Sequence, residues 1–235
     1  MKIKLFFLFI LLNCLTGAAF SQQPFRGSFM MSFTFTPEQK KNDSLWWNID
    51  QGKMAMEIQD EMKRRGVSKR VLFDPTDSTW TMGLEFSKVK QGTRIHAASM
   101  FRDSSEEKKI TVKNTGKKRS IEGHRCHEVI IESSEYTSSL WVTNELNFNL
   151  CRMYKMLAHC GMMGSRVGKG DWYFWKPQKG MVLEVTSANK SSGEDYTMKI
   201  SQLSDTINAS LFNLTGYKIS DIPEGQHCGP VVEGK

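Results

Sequence analysis

The sequence predicts a mostly β domain of the α+β class, an antiparallel sheet closed by one helix. Several short segments alternate apolar and polar residues between turn-forming residues, which is typical of antiparallel strands. One later segment instead repeats apolar residues at helical spacing. Behind an N-terminal leader, residues 22–235 contain no linker rich in Pro, Gly or Ser, so we expect a single domain with one core.

The N-terminal segment, residues 1–21, has the order of features of a secretory signal peptide. Two lysines precede the unbroken apolar run 5–12, and small residues follow between Gly17 and Ser21. We expect cleavage after Ser21, so that the mature chain begins at Gln22. A membrane-spanning helix needs about 20 apolar residues. Since Asn13 interrupts this shorter segment, export with cleavage is the better interpretation.

The mature chain carries a modest positive charge. Residues 1–21 hold two of the 32 lysines and arginines and none of the 25 acidic residues, so 30 against 25 leaves +5. The basic residues are scattered apart from the runs 63–65 and 117–119. Each run lies beside a glycine, and we interpret both as solvated turns. A nucleic-acid-binding surface is therefore not expected.

The first strand is predicted from the alternation in residues 28–35. A large apolar set, Phe29, Met31, Phe33 and Phe35, alternates with Ser28, Met30, Ser32 and Thr34. Successive side chains of a strand point to opposite faces of the sheet. The four large side chains are therefore expected to share the packed face.

Three later pairs of segments have the pattern of β-hairpins. Turn-forming residues separate the two strands of each pair, at residues 50–53, 74–78 and 189–194. In the first pair, Gly52 supplies the positive φ that a tight hairpin turn requires. Hairpins join antiparallel strands, so a meandering sheet with one packed face is expected.

Residues 145–164 are the exception, because their apolar residues recur at helical spacing. At about 100° per residue they fall on one broad face: Leu146, Leu150, Met153, Met156, Leu157, Cys160 and Met163. Gly164 would end this helix, or Gly161 one turn earlier. A helix of this length gains most of its stability from packing, so we expect its apolar face to lie against the sheet.

Short motifs spread over the chain resemble those of DUF4412, a family of exported bacterial proteins. The sequence I-E-G-H-R-C at residues 121–126, followed by W-V-T at 141–143, is similar to one family pattern. Residues 180–184 resemble its penultimate strand, and residues 211–218 resemble its closing motif. Leu214-Thr215 departs from that motif, which often has a proline there. The resemblance covers about residues 26–220 and leaves a tail, residues 221–235.

The resemblance implies an envelope protein, periplasmic or associated with the outer envelope. It also implies a curved sheet similar to the half-barrel of the LolA and LppX lipoprotein carriers, closed by helices. In such a fold we expect a non-catalytic protein that binds a lipid or other apolar ligand between sheet and helix. The expected contacts are Phe29, Met31, Phe33 and Phe35 on the strand and Met153, Met156 and Met163 on the helix. Methionine suits such irregular surroundings.

Four cysteines remain in the mature chain, an even number in an oxidising compartment: Cys126, Cys151, Cys160 and Cys228. On a continuous helix Cys151 and Cys160 would lie roughly 13 Å apart, beyond the reach of a disulfide. Either Cys126 and Cys228 each pair with a different helical cysteine, or they pair with each other. We predict at least one bridge.

Cysteine and histidine are adjacent three times, which gives an alternative function, a copper- or zinc-binding envelope stress protein. The candidate ligands are Cys126, His127, His159, Cys160, His227 and Cys228. Soft sulfur and imidazole ligands select Cu(I) or Zn(II). The spacing does not form a CxxC or HxxxH arrangement, however, so the apolar ligand is the favoured hypothesis.

Neither a nucleophile elbow nor an HExxH motif nor a phosphate-binding loop appears in the sequence, so we predict no enzyme and no cofactor. No transmembrane segment is expected in the mature chain. The aromatic run 172–175 places aromatic rings on both faces of a strand, and an exposed pair would mark a ligand or partner surface. A structural or partner-binding module is thus a further alternative, and the sequence leaves the oligomeric state open.

Overall fold

The structure is a computed structural model that describes residues 24–36, 43–58, 64–96, 110–150, 180–191 and 195–223. These residues form twelve strands and a 3₁₀ turn at Ala209–Phe212. The strands are β1 (Gly27–Thr36), β2 (Asp43–Asp50), β3 (Lys53–Ile58), β4 (Val67–Asp74), β5 (Thr79–Phe86), β6 (Val89–His96), β7 (Thr111–Ile121), β8 (His124–Glu132), β9 (Tyr136–Thr143), β10 (Met181–Asn189), β11 (Asp195–Ser204) and β12 (Lys218–Ile222).

All twelve strands belong to one open, curved sheet. Their order is β12-β6-β5-β4-β3-β2-β1-β11-β10-β9-β8-β7. Neighbouring strands are antiparallel except β12, which pairs with β6 in parallel. The mostly β class and the antiparallel sheet predicted from the sequence are therefore confirmed.

The predicted hairpins form where the turn residues are found. Strands β2 and β3 pair from Asp50 opposite Lys53, and the two residues between them have positive φ, 51° at Gln51 and 78° at Gly52. This is the backbone of a type I′ turn, whose twist matches that of the strands. The connections at residues 74–78 and 189–194 likewise join antiparallel neighbours, β4 with β5 and β10 with β11.

One face of the sheet, the inner face, carries the hydrophobic core. Phe29, Met31 and Phe33 of β1 are buried there, as the alternation predicts. Their register partners continue the face across both halves of the sheet: Trp47, Ile49, Met54, Met56, Val71, Phe73, Trp80, Ile200, Met198, Val185 and Leu140. Cross-strand neighbours of this kind stabilise a sheet through packing.

The opposite, outer face is crossed by the chain after β11. The backbone N–H of Asn208 donates to Asn48 on β2 at 2.7 Å, and Arg70 on β4 donates to the carbonyl of Ser210 at 2.9 Å. Tyr217 then lies against Gly83 of β5. This crossing carries the chain to β12 at the far edge of the sheet.

The closing helix predicted at residues 145–164 is not seen in the described part of that range, where only Leu150 has a helical backbone. Residues 145–149 are not helical, because Asn147 forms a parallel bridge with Pro24 and its carbonyl accepts from the N–H of Phe25 at 3.0 Å. Phe148 nevertheless packs into the core, with its ring against Phe25. The predicted helix start is therefore wrong, and residues 151–164 lie outside the described residues.

The basic run 117–119, interpreted from the sequence as a turn, lies within strand β7. The neighbouring Gly116 has a φ of 78°. Glycine adopts a positive φ without strain, and Gly116 lies where the pairing of β7 with β8 is irregular, between Asn114 and Lys118. Such a bulge uses a positive φ inside a strand. Over the described parts of the chain, no helix is long and apolar enough to span a membrane.

Candidate functional site

The inner face holds those predicted ligand-binding residues whose side chains the structure describes. Phe29, Met31 and Phe33 are fully or almost fully buried and point to the same side of β1. The backbone of Phe35 continues that strand, opposite Tyr196. The side chain of Phe35 and the three predicted helical methionines, Met153, Met156 and Met163, lie outside the described residues. The predicted grouping of strand and helix residues thus stays a prediction.

The inner face contains more methionines than the sequence interpretation assigned to it. Met54 and Met56 on β3, Met181 on β10 and Met198 on β11 are all buried in the same core as Met31. In the sequence, Met54 and Met56 alternate with Ala55 and Glu57, and this alternation could have predicted that both methionines of β3 share one face. Methionine side chains are flexible and polarizable, so this face can adapt to irregular apolar shapes.

Two tryptophans of the inner face have buried N–H groups without a partner. Trp47 is 0% and Trp80 4% exposed, and neither Nε1 has a hydrogen-bond acceptor within the described chain. Leaving a buried donor unpaired costs about 1 to 3 kcal/mol. Trp47 lies on β2 and Trp80 on β5, three strands away, or roughly 14 Å at the usual strand spacing. The face therefore offers two separate donors inside an apolar surface.

A pair of hydroxyls forms a third polar spot on the inner face. The Oγ atoms of Ser138 on β9 and Ser187 on β10 lie 2.7 Å apart, and both residues are completely buried. They stand in register with Tyr196 on β11. One hydrogen bond between two hydroxyls uses one of their two O–H donors, so the pair can bind one more acceptor.

This combination of features is typical of ligand sites. Small-molecule pockets are lined mainly by apolar and aromatic side chains, with a few polar groups that fix orientation. The inner face has that composition over β1 to β5 and β9 to β11. It can bind an apolar chain and offer hydrogen bonds to polar atoms that accompany the chain.

The described residues contain no group of side chains that supports the alternative function, metal binding. Cys126 and His127 are neighbours on β8, where successive side chains face opposite sides of the sheet. Across the described ranges, no three His, Cys, Asp or Glu side chains come together in a way that could hold a metal ion. His159, Cys160, His227 and Cys228 lie outside these ranges.

Cys126 on β8 is a buried thiol with no disulfide partner among the described residues. Its Sγ lies 3.5 Å from the carbonyl oxygen of His124. Burial raises the pKa of this thiol, so the thiolate is disfavoured. The other disulfide candidates, Cys151, Cys160 and Cys228, lie outside the described residues, so the predicted bridge stays a prediction.

The outer face also carries a buried carboxylate that sequence reasoning missed. Glu128 accepts hydrogen bonds from Thr115 and Ser139, both at 2.8 Å, and its Oε2 lies 3.2 Å from Nζ of Lys117. Burial raises the pKa of Glu128, but these hydrogen bonds and the lysine charge outweigh it, so the pKa is lowered. The group is a satisfied structural anion rather than a proton donor near neutral pH.

The fold and the inner face define a mostly β protein with a large buried apolar surface. The chain belongs to the family described as a domain of unknown function, DUF4412, whose model matches residues 25–215. The resemblance read from the motifs is thereby confirmed. No curated protein matches the chain.

Several solved structures are similar at low identity. They include PNGF-II (11% identity, 84% of this chain, 32% of that chain, TM-score 0.38) and MucB in complex with MucA(peri) (11%, 79%, 53%, 0.32). A LolA superfamily protein from Nitrosomonas europaea is also similar (9%, 83%, 91%, 0.22). The chain spans about a third of the length of PNGF-II. These low scores transfer neither a ligand nor an activity.

Proposed function

We propose that this DUF4412 protein is an exported, non-catalytic envelope protein that binds a lipid or another apolar ligand on its inner face. The observation that carries the proposal is the pair of buried, unpartnered indole N–H groups of Trp47 and Trp80 within an apolar, methionine-rich surface. A ligand with a long apolar part and a hydrogen-bond acceptor, such as a fatty acyl ester or acid, complements both properties.

The energetics favour a ligand over a purely structural role for these groups. A packed core gains nothing from an indole N–H that lacks an acceptor, since its desolvation is uncompensated. A bound carbonyl or carboxylate oxygen restores the lost hydrogen bond, and the acyl chain contributes about 0.8 kcal/mol for each buried CH₂ group. The adaptable methionines around Trp47, Met56 on β3 and Met31 on β1, accommodate such a chain.

A fluorescent fatty-acid probe tests the proposal. We expect the wild-type protein to bind the probe and Trp47→Phe, which removes the N–H but keeps an aromatic ring, to bind it about five- to tenfold more weakly. Trp46→Phe is the matched control, because Trp46 is the next residue, lies on the outer face and is 42% exposed. Circular dichroism would verify that both variants keep the β fold.

Two results would contradict the proposal. One is a wild-type protein that binds no acyl probe at any concentration below the solubility limit of the probe. The other is equal weakening by Trp46→Phe and Trp47→Phe, because the effect would then not come from the inner face. Export belongs to the same proposal, and a mature N-terminus at Gln22, read by mass spectrometry, is its test.

A further inference from the structure

The apolar inner face does not end where the core ends. Along β5 its side chains become steadily more exposed, from Trp80 at 4% to Leu84 at 39% and Phe86 at 57%. Phe86 stands opposite Val89, which is 53% exposed, across the β5–β6 turn. We call Leu84, Phe86 and Val89 the apolar tip. Apolar side chains that are exposed as a group, unlike those scattered singly, are a feature of interaction surfaces.

Basic residues surround the apolar tip. Lys88 occupies the turn itself and is exposed, and exposed Arg64 and Arg65 precede β4, whose first residue Val67 pairs with Phe86. Two acidic side chains are described near this end of the sheet: Glu57 of β3, which accepts a hydrogen bond from Ser68 at 3.1 Å, and Glu85, whose charge is already balanced. The carboxylate of Glu85 lies 3.3 Å from Lys90 and 3.4 Å from Arg70. The surroundings of the tip are therefore positively charged.

We infer that the apolar tip docks the protein on an anionic membrane surface. Apolar side chains at an exposed turn can enter the interface between headgroups and acyl chains, and basic side chains beside them attract anionic headgroups. A second copy of the chain fits less well, because a symmetric contact through the tip would bring like charges together. Three tip side chains also offer far less than the roughly 800 Å² per partner of a stable protein interface.

Vesicle binding tests the inference with protein purified from its own cell envelope. Phosphatidylcholine vesicles containing phosphatidylglycerol should bind the protein, and vesicles of phosphatidylcholine alone should bind it much more weakly. We expect Phe86→Ser combined with Val89→Ser to lower binding about tenfold or more. Lys88→Glu should cause a similar loss, which shrinks at high salt.

Matched controls lie on edge strand β7, at the other side of the sheet. Val112→Ser removes an equally exposed apolar side chain, and Lys118→Glu reverses an equally exposed charge. Both should leave vesicle binding unchanged within about twofold, since the docking surface is local. With vesicles present, hydrogen exchange should slow in residues 84–90 and not in β7.

Three outcomes would overturn the inference. They are no binding to anionic vesicles, equal losses in the β7 controls, or self-association in solution that the Phe86→Ser and Val89→Ser changes abolish. The last would identify the tip as a contact between copies. Trp47→Phe should bind vesicles like the wild type, so failure of membrane docking and failure of acyl binding are distinguishable.

Discussion

Replacing Gly83 by alanine should loosen the crossing of the C-terminal segment over the outer face. A Cβ atom at this position would lie 2.9 Å from Cε1 of Tyr217 and 3.1 Å from Cγ of Arg70. Carbon atoms in contact prefer about 3.5 to 4.0 Å. The tyrosine ring must therefore move by several tenths of an ångström or more.

The ring of Tyr217 is held in place by several contacts. Its hydroxyl donates to Glu85 at 3.1 Å, and the guanidinium of Arg70 and the ammonium of Lys90 lie 5.3 and 5.7 Å from the ring centre. Overpacking a fixed group costs about 1 to 3 kcal/mol. We expect Gly83→Ala to lower the free energy of unfolding by that amount.

Urea unfolding followed by tryptophan fluorescence measures the effect. In a Tyr217→Ala background the same glycine substitution should cost less than about 0.5 kcal/mol, because the clashing ring is gone and the flexible Arg70 side chain can shift into the space that the ring leaves. The double-mutant cycle would thus give a coupling above about 0.5 kcal/mol. Additive effects of the two substitutions would refute this account of the crossing.

Two further predictions concern strand β8. The lowered pKa of Glu128 means that its carboxylate stabilises the fold above the unfolded value, near 4.5, and that this contribution is lost as the pH falls through the folded pKa. Glu128→Gln should therefore lower the free energy of unfolding by about 1 to 3 kcal/mol at neutral pH. It should also flatten the acid limb of a plot of stability against pH. An unchanged acid limb would refute the role assigned to Glu128. The Cys126 thiol should resist alkylation in the native protein and react once the protein is denatured without reductant. A thiol that reacts only after reduction would instead support the disulfide predicted from the sequence.

The strands could be predicted from the sequence because their signals are local. The alternation of Phe29, Met31 and Phe33 and the turn at Gly52 each depend on a few neighbouring residues. The helical spacing gave the wrong start for the helix, because Phe148 reaches the core from a non-helical backbone. The spacing of apolar residues in a sequence thus predicts which residues are buried more reliably than it predicts the backbone conformation.

The features of the candidate site depend on contacts that no local pattern contains. Tyr217 meets Glu85 across 132 residues of sequence. That the N–H groups of Trp47 and Trp80 lack acceptors among the described residues is a property of the folded surroundings. Sequence composition could indicate an apolar face, but hydrogen-bond satisfaction is decided only when all the strands are assembled.

Native mass spectrometry of protein purified from its own envelope tests the central claim most directly. Gentle ionisation preserves a ligand bound on the inner face, and collisional activation then releases it for identification. We expect a complex heavier than the chain that begins at Gln22, and release of a lipid or acyl species with a hydrogen-bond acceptor. A population with the mass of the empty chain alone, or with a metal ion alone, would contradict the claim.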